Sequence, residues 1–384
     1  MGKNQINKSK DEIGILTFHN ADNYGSVLQA YALLNTIKKI TENSCSIINY
    51  SSDEQKGMYE IYLPSKGIKN HIKNLYIFLF QKKKRIMKKK SFEFFRTKYL
   101  DIDSEKDCIG AKDIENMSIV VCGSDQIWNI HIKDFKDFYM LSELSNVKKI
   151  SYAASMGGID LNLTECEKKQ IYKYLSDFSA ISVRENVAQK MLRGCDIDVE
   201  EVLIDPTFLI SKNQWKMIMS KRKIKEKYIF FYSVDYNEDS VKIAQWYGKK
   251  FHMPVVIMYT SWHSYFICKE GIQWSGCTDV EDFLSLIYYS EFILSGSFHG
   301  TVFSIIFNKP FYRIQKKYKD KMVDDDRIHT LFSKLKIENR EINIGNYKSY
   351  CDKIYDIDFK LINQNINNER ERSLLFLKKA FENS

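Results

Sequence analysis

The feature that most constrains the fold is a repeated pattern in which a short apolar run ends abruptly in small and polar residues. Its most complete copy is FILSGSFHGTVFSIIF at 292–307. The spacing predicts a buried strand, a tight loop and a buried helix whose first turn carries His299. Ser295, Ser297 and Thr301 are candidate caps for that helix. Such a helix start presents free N–H groups and the positive end of a dipole, which suit a phosphate or carboxylate. The alternative is a capped core helix in which the His has no chemical role.

Four earlier stretches repeat the pattern, at residues 13–18, 118–121, 149–154 and 180–183. We interpret them as parallel strands, because the helical spacing of residues 27–40 and an apolar run at 45–50 complete a strand–helix–strand unit. The loops after parallel strands lie along one edge of the sheet. Here they carry His19, Asp22, Asn23, Asp125, Gln126, Asn129, Arg184 and Glu185. The first loop lacks a Gly-x-Gly-x-x-Gly fingerprint, which argues against a nicotinamide cofactor.

A second set of elements follows residue 209. Strands are predicted at 228–232, at 255–258, at the run that begins with Phe292 and, as a short edge strand, at 311–313; helices are predicted at 239–251, 280–289 and 326–335. The predicted fold is therefore α/β, with two Rossmann-like domains, 12–208 and 209–384, that face each other across a cleft. A last helix at 368–381 is expected to pack back on the first domain. Residues 51–84 are interpreted as an insertion that precedes a helix at 87–99.

The composition excludes several classes of protein. A hydrophobic content of 44% with 28% charged residues is typical of a soluble globular chain rather than a disordered one. The eight cysteines are scattered without a Cys-x-x-Cys pair, which favours reduced thiols in a cytoplasm and argues against a metal site. The polar residues 1–11 predict no signal peptide, and no apolar run approaches the roughly 20 residues that span a bilayer.

The positive charge is concentrated in one basic segment, residues 65–100. It holds twelve Lys or Arg residues and one acid, Glu93, so its net charge of +11 leaves the rest of the chain at −2 against a total of +9. Aromatic and aliphatic residues lie among these lysines, a combination that suits an anionic membrane surface. The alternative is a solvated helix face whose apolar side packs on the domain. Nucleic acid is not expected as a partner, because no nucleic-acid-binding motif accompanies the charge.

Two residues at the predicted sheet edge have local alternatives to a role in binding. Arg184, at a strand end beside a helix start, can hold a carboxylate or phosphate in a bidentate fork, or it can pair with Glu185 or a helix end. Asp125 can take part in chemistry or cap a helix.

Five motifs occur in an order that resembles the polysaccharide pyruvyl transferase family over roughly residues 12–340. They are NYGSVLQ at 23–29, GSDQIW at 123–128, SVRE at 182–185, DPT at 205–207 and SFHG at 297–300. No single motif is specific, and the resemblance depends on the ordered set.

The resemblance implies a transferase with a GT-B-like pair of domains, the acceptor side in the first and the donor or anion site in the second. Such enzymes move the enolpyruvyl group of phosphoenolpyruvate onto two hydroxyls of a sugar, which forms a pyruvate ketal and releases phosphate. The acceptor is expected in a surface polysaccharide, such as a capsule or exopolysaccharide, or in its lipid-linked precursor. Phosphoenolpyruvate is then the donor substrate and no cofactor is expected. The expected location is the cytoplasm, peripheral on the inner membrane face for a lipid-linked acceptor.

Site residues also follow from the resemblance. Arg184 holds the carboxylate or phosphate of the donor, and His299 is the general acid. Further expected binding positions are Asn23, Gly25, Gly123, Ser124, Gln126, Ser297, Gly300 and Thr301. Many members carry Arg where this chain has Ser297, so the missing charge must come from elsewhere, with Arg313, Lys316 and Arg327 as candidates.

We hypothesise that His299 protonates the methylene carbon of phosphoenolpyruvate, while Asp125 or Asp22 accepts a proton from the attacking hydroxyl. Arg184 and the helix start at 297–301 stabilise the departing phosphate. One alternative is a GT-B glycosyltransferase that uses a nucleotide-sugar, with Glu281 or Asp282 as a ribose-binding carboxylate. Another is a non-catalytic glycan- or anion-binding module.

Overall fold

The chain folds around two six-stranded sheets in which every strand pair is parallel. The structure is a computed structural model that describes residues 12–41, 43–64, 67–102, 114, 117–260, 270–315, 317–318, 321–322 and 324–382. The strands are short and apolar, and all four residues of β3, β5, β7 and β10 (bounds below) are buried. Full burial is expected where helices cover both faces of a parallel sheet.

The first sheet has the strand order β2-β1-β3-β4-β5-β6. Its strands are β1 (Glu12–Leu16), β2 (Ser44–Ile47), β3 (Ile119–Cys122), β4 (Lys148–Ala154), β5 (Ala180–Val183) and β6 (Glu201–Val202). The helices within this half are α1 (Tyr24–Thr41), α2 (Asp53–Met58), α3 (Ile68–Tyr76), α4 (Lys82–Tyr99), α5 (Glu165–Leu175) and α6 (Asn186–Arg193), with a π-helical turn at Ile77–Gln81 and a 3₁₀ turn at Asp137–Met140. We call β1–β6 with α1–α6 the first unit.

The second sheet has the order β14-β11-β10-β7-β8-β9. Its strands are β7 (Ile229–Tyr232), β8 (Val255–Ile257), β9 (Ile272–Trp274), β10 (Phe292–Ser295), β11 (Phe311–Ile314) and β14 (Glu341–Ile342), and a separate antiparallel pair is formed by β12 (Lys317–Tyr318) and β13 (Lys321–Met322). The helices from here on are α7 (Lys212–Ile218), α8 (Glu238–Phe251), α9 (Val280–Tyr289), α10 (Phe298–Ile306), α11 (Asp326–Leu335) and α12 (Phe359–Glu382), with 3₁₀ turns at Pro206–Leu209 and Cys351–Lys353. We call the second sheet with α8–α11 the second unit.

The predicted α/β fold with two Rossmann-like sheets is confirmed, and two local predictions, the start of the first helix and the edge position of β11, are wrong. Helix α1 begins at Tyr24 rather than Val27, because the Asn23 side chain accepts a hydrogen bond from the Gly25 amide at 2.9 Å and caps the first turn. The stretch 51–84, for which the sequence predicted no particular elements, is largely helical where the structure describes it, and its interpretation as an insertion stays a prediction. Strand β11 is not an edge strand, because β14 pairs beyond it. With only two residues, β14 is too short to produce a sequence pattern.

A hydrophobic cluster joins the two units. It contains buried residues of α1 and of α10, so the helices that begin at the two sheet edges share one core. Tyr24 of α1 stacks on Phe283 of α9 with ring centroids 4.9 Å apart, and its hydroxyl donates a hydrogen bond to the Thr278 carbonyl at 2.8 Å. This shared core fixes the first turn of α1 against the second unit.

The last helix, α12, contacts both units. Arg370 donates a hydrogen bond to the Phe208 carbonyl at 2.7 Å, and Lys148 of β4 reaches the Phe381 carbonyl at 3.5 Å. On the other side, Glu369 pairs with Lys334 of α11 at 2.7 Å. Among the described residues, no helix combines the length and apolar character needed to cross a membrane.

Candidate active site

A cavity of about 300 Å³ lies between the two units at the point where the strand order of each sheet reverses. The reversal falls between β1 and β3 in the first sheet and between β7 and β10 in the second. Open parallel sheets bind ligands beyond the carboxyl ends of their strands at this point. The lining residues are Asn23, Ser26, Asp125 and Gln126 of the first unit and Val234, Gly296, Ser297, Phe298, His299, Arg313, Asp325 and Arg327 of the second.

Seven of the residues predicted from the sequence therefore line one cavity. They are Asn23, Asp125, Gln126, Ser297, His299, Arg313 and Arg327. Asp22, Gly25, Gly123, Ser124, Arg184, Gly300 and Thr301 are not part of its wall. Lys316 lies outside the described residues.

His299 is the second residue of α10, and Ser297 caps that helix. The Ser297 hydroxyl accepts a hydrogen bond from the Gly300 amide at 3.5 Å, which confirms the predicted cap. The imidazole is nearly buried, with Nε2 at 3.3 Å from Oδ2 of Asp205. That contact is short enough for an ion pair, although Nε2 has no hydrogen-bond partner of good geometry in the described part of the chain. Asp205 thus fixes the orientation of the ring at the cavity wall.

Gly25 makes room for His299. A Cβ at this position would overlap with Nδ1 and Cγ of the imidazole, so only glycine lets α1 and α10 approach each other this closely. The ring is therefore held between the backbone of the first unit and the carboxylate of Asp205. Gly25 acts on the site through the position of His299.

Arg184 lies behind the cavity wall rather than on it. Its Nη1 donates a hydrogen bond to Asp205 at 2.8 Å, and its guanidinium stacks 4.5 Å from the centroid of the Phe298 ring. Its Nε lies 3.8 Å from Glu185, beyond hydrogen-bond distance. Neither Nε nor Nη2 has a hydrogen-bond partner among the residues that the structure describes, although the side chain is almost wholly buried.

Asp205 is consequently the shared partner of His299 and Arg184. Burial by itself raises the pKa of this carboxyl, but the charges of His299 and Arg184 and the hydrogen bond from the Thr207 amide hold the pKa below its usual range. Asp205 therefore stays ionised over the whole physiological range of pH. The carboxyl group of Glu185, also fully buried, has its pKa raised by burial despite the facing Arg184.

Asp325 joins the two cavity arginines. Arg327 donates to both of its carboxylate oxygens, at 2.8 and 2.9 Å, and Arg313 donates to Oδ2 at 3.2 Å. Burial raises the pKa of the Asp325 carboxyl, but the two guanidinium groups outweigh this effect and the pKa lies below its ordinary value. Two guanidinium groups and one carboxylate leave a net positive charge on this wall.

The first unit contributes a carboxylate to the opposite wall. Oδ2 of Asp125 accepts a hydrogen bond from the Ser26 hydroxyl at 2.5 Å, and Oδ1 accepts one from the Gln126 amide at 2.8 Å. The alternative that Asp125 caps a helix is wrong, because residues 123–136, all of them described, contain no helix. Asp125 has instead a left-handed backbone with φ of 72°.

Four of the predicted binding positions support the loops around the cavity. The Ser124 hydroxyl donates to the Ala153 carbonyl at 2.7 Å, and the Thr301 hydroxyl donates back to the Ser297 carbonyl at 3.0 Å. Side chains at Gly123 and Gly300 would overlap with the Tyr152 carbonyl and the Ser295 hydroxyl respectively. These residues shape the loops, and their side chains do not line the cavity.

Asp22 lines two neighbouring cavities of about 230 and 300 Å³. Its carboxylate pairs with Arg96 of α4 at 3.1 Å, and burial raises its pKa despite that pairing. Lys88 of the same helix lines one of these cavities, and burial lowers the pKa of its ammonium group to about 8. The structure thus separates Asp22 from His299 and Asp125.

The proposed ribose-binding carboxylates are also elsewhere. Asp282 accepts a hydrogen bond from the Ser220 hydroxyl at 2.5 Å and pairs with Lys223 at 3.1 Å. Glu281 pairs with Lys98 at 3.9 Å. Neither lines the cavity.

Sequence reasoning missed the roles of Asp205, Asp325 and Phe298. Asp205 stands in a recognised motif, DPT, but its partners Arg184 and His299 are 21 and 94 residues away in the chain. Asp325 directly precedes α11, where an acidic residue would ordinarily be interpreted as a helix cap. No group of three or more His, Cys, Asp or Glu residues within the described ranges is arranged to hold a metal ion.

Solved structures with the same architecture include sugar-nucleotide enzymes. A putative UDP-N-acetylglucosamine 2-epimerase from Listeria monocytogenes aligns over 98% of both chains with a TM-score of 0.55 and 9% identity. A glycosyltransferase from Rickettsia africae aligns over 98% of this chain and 100% of its own, with a TM-score of 0.53 and 13% identity. MnaA of S. aureus, solved with UDP, aligns over 93% of this chain and 90% of its own, with a TM-score of 0.51 and 12% identity. At these identities the likeness shows the fold alone, and it confirms the GT-B-like pair of Rossmann-like units.

The sequence itself identifies the family. No curated protein sequence is detectably similar to this chain. The sequence model of the polysaccharide pyruvyl transferases, however, matches residues 23–315, which is most of the chain and includes His299, Arg184 and Asp125. The chain therefore belongs to the polysaccharide pyruvyl transferase family.

Proposed function

We propose that this protein transfers the enolpyruvyl group of phosphoenolpyruvate onto two hydroxyls of a sugar in a surface polysaccharide or its precursor. The observation that carries the proposal is the cavity between the two units. Its wall holds the imidazole of His299, the guanidinium groups of Arg313 and Arg327, the start of α10 and, from the first unit, the carboxylate of Asp125. Family membership supports a transferase. Phosphoenolpyruvate as the donor and a ketal as the product are part of our proposal.

The donor carries a carboxylate and a phosphate, and the second unit offers matching groups. Arg313 and Arg327 supply donors in planar forks, which suit both anions. The first turn of α10, capped by Ser297, adds amide groups and the positive end of its dipole. These two arginines supply the positive charge that many family members obtain from an Arg at the position of Ser297.

The chemistry begins with proton transfer from His299 to the methylene carbon of phosphoenolpyruvate, which becomes a methyl group. The neighbouring carbon gains oxocarbenium character and is attacked by a sugar hydroxyl, whose proton passes to Asp125. The bond between that carbon and the phosphate oxygen breaks, and a second sugar hydroxyl closes the ketal. Of the two hydroxyl protons, one replaces the proton that His299 gave and the other leaves with phosphate.

Asp125 is the better of the two candidate bases. It shares the cavity with His299, and the Ser26 hydroxyl orients its carboxylate. Asp22 is paired with Arg96 in the neighbouring cavities. We assign those cavities to the acceptor, because both are lined by Asp22 of the first loop and they combine amide, hydroxyl and charged groups that bind sugars.

The test is a product analysis with purified protein, phosphoenolpyruvate and a panel of galactose-, glucose- and mannosamine-type acceptors. The proposal predicts an acceptor that carries a pyruvate ketal, detected by mass and by the methyl resonance of the new group. Transfer of a sugar from a nucleotide-sugar, without reaction of phosphoenolpyruvate, would instead support the glycosyltransferase alternative. Binding of phosphoenolpyruvate without product from any acceptor would favour the non-catalytic module.

A further inference from the structure

The helical stretch from α3 through the π-helical turn, residues 68–81, has its apolar side turned outward. None of the nine residues of α3 is buried. Ile68, Ile72, Leu75 and Leu79 recur at intervals of four, three and four residues, the spacing of one helix face. These four side chains are between 59% and 79% exposed, and Phe78 and Phe80 beside them are more than half exposed. We call these six residues the outer apolar face.

The side of the same stretch that faces the protein is largely polar, although it also buries the apolar side chain of Ile77. Asn74 exchanges hydrogen bonds with both backbone groups of Leu63, at 2.8 and 2.9 Å, and Asn70 donates to the Pro64 carbonyl at 2.9 Å. Gln81 is buried, and its side chain accepts a hydrogen bond from Tyr259 at 3.1 Å. A helix that is packed only for its own protein buries its apolar side. Six of the apolar side chains in this stretch are instead more than half exposed, which indicates that another apolar medium covers the outer apolar face.

The charge around the outer apolar face identifies that medium. Lys69, Lys73, Lys82 and Lys83 are exposed beside it, and the ammonium group of Lys82 lies 5.1 Å from the centroid of the Phe78 ring. No acidic residue occurs in the sequence from 65 to 92. Apolar side chains flanked by lysines are the pattern of helices that lie in the interface of an anionic bilayer. A second copy of the chain is a poorer partner, because the two lysine-rich surfaces would repel each other.

We propose that residues 68–83 bind the surface of an anionic lipid membrane, with the outer apolar face inserted among the acyl chains and the lysines on the headgroups. The next helix, α4, carries Lys88 and Arg96 to the two cavities beside the candidate active site. Membrane binding therefore places the openings of these cavities at a fixed orientation to the bilayer. The proposal does not depend on the reaction that the site performs.

Vesicle co-sedimentation tests it, with equal parts of phosphatidylcholine and phosphatidylglycerol compared with phosphatidylcholine alone. Wild-type protein is expected to sediment with the mixed vesicles. The double variant Leu75→Ser with Leu79→Ser, both exposed and so neutral for folding, should lower the partition coefficient by roughly tenfold or more. The matched control is Leu361→Ser with Leu375→Ser, two exposed leucines of α12, which should sediment like the wild type.

A second pair of variants tests the charge. Lys69→Gln with Lys73→Gln should weaken sedimentation, whereas Lys378→Gln with Lys379→Gln, exposed lysines on α12, should not. Equal sedimentation of each variant and its control would overturn the proposal, as would wild-type protein that stays in solution with both kinds of vesicle. Lipid-free dimers that the Leu75 and Leu79 substitutions dissociate would assign the face to a second copy instead.

Discussion

At the scale of single residues, two guanidinium groups beside one phenyl ring have different partners. Arg184 and Arg327 lie 4.5 and 5.7 Å from the centroid of the Phe298 ring. Arg184 shares the buried carboxylate of Asp205 with His299, whereas Arg327 shares Asp325 with Arg313 and lines the cavity. The difference predicts different kinetic roles for residues that look alike in the sequence.

Substitution of the cavity arginine should weaken donor binding. We expect Arg327→Met to raise KM for phosphoenolpyruvate by about ten- to a hundredfold, the cost of one charge-assisted hydrogen bond. Arg184→Lys should mainly lower kcat, because it disturbs the carboxylate that orients His299. Steady-state kinetics of phosphate release separate the two effects. An equal rise of KM in both variants would place Arg184 in direct contact with the donor, as the family resemblance implies.

Asp205 should make the free energy of unfolding fall at low pH. Its pKa is lower in the folded than in the unfolded chain, so it stabilises the fold above the unfolded pKa of about 3.9, and this contribution is lost as the pH falls below that value. Asp205→Asn also leaves the buried Arg184 charge without its partner. We expect it to lower the free energy of unfolding at neutral pH by roughly 3–5 kcal/mol.

Denaturant unfolding at about pH 7 and at about pH 3.5 measures this contribution. The difference in the free energy of unfolding between wild type and Asp205→Asn should be smaller at the lower pH. Asp352→Asn, at an exposed position, should show little change at either pH. A difference in the free energy of unfolding that does not change with pH would mean that Asp205 is not held ionised by its partners.

At the scale of elements, the site depends on two helix starts that meet across the units. The sequence predicted the start of α10, because Ser297 is a residue that caps helices and follows an apolar strand, but it predicted the helix α1 only from residue 27. It did not reveal that α1 begins early enough to bring Gly25 against His299, since Tyr-Gly-Ser is also a typical loop sequence. The contact arises from packing between elements that are about 270 residues apart, which no local pattern records.

Gly25→Ala tests that contact. The new methyl group would displace the imidazole, and a shift of about 1 Å in a catalytic group can cost about a hundredfold in rate. We expect a loss of turnover on that scale, measured by phosphate release. Gly57→Ala is the matched control, because its Cβ meets nothing within 4 Å inside α2 and should stabilise the helix by up to about 1 kcal/mol. Full activity of Gly25→Ala would show that the position of His299 does not matter.

At the scale of the whole molecule, the sequence predicted two parallel sheets because alternating apolar runs and helical segments allow little else. It also predicted that the loops around Asn23, Asp125 and His299 come together, since the loops after parallel strands share one edge. The relative placement of the units was not accessible. Helix α6 of the first unit, for example, receives its cap from the second, where Asp326 accepts a hydrogen bond from the Val187 amide at 2.7 Å and Thr330 accepts one from the Asn186 amide at 3.1 Å.

Because contacts between distant elements were not accessible from the sequence, some of the predicted site residues do not line the cavity. Asp22 and Asn23 are adjacent in the sequence, yet only Asn23 lines the cavity, because Arg96 of the basic segment draws the Asp22 carboxylate to the neighbouring cavities. Arg96 stands in a stretch that the sequence correctly predicts as a helix, but no local pattern shows which loop that helix contacts. The boundary between domains at 208 and 209 stays a prediction.

Pyruvyl transfer with His299 as the acid is tested by phosphate release from phosphoenolpyruvate, with and without a sugar acceptor, by wild type, His299→Gln and His131→Gln. His131 is a suitable control because it is exposed and pairs with Glu167 at 2.8 Å, away from the cavity. We expect acceptor-dependent release by wild type and His131→Gln, and a loss of about a hundredfold or more in His299→Gln. Wild-type turnover by His299→Gln would contradict the assignment of the acid, and absence of release with every acceptor would contradict pyruvyl transfer itself.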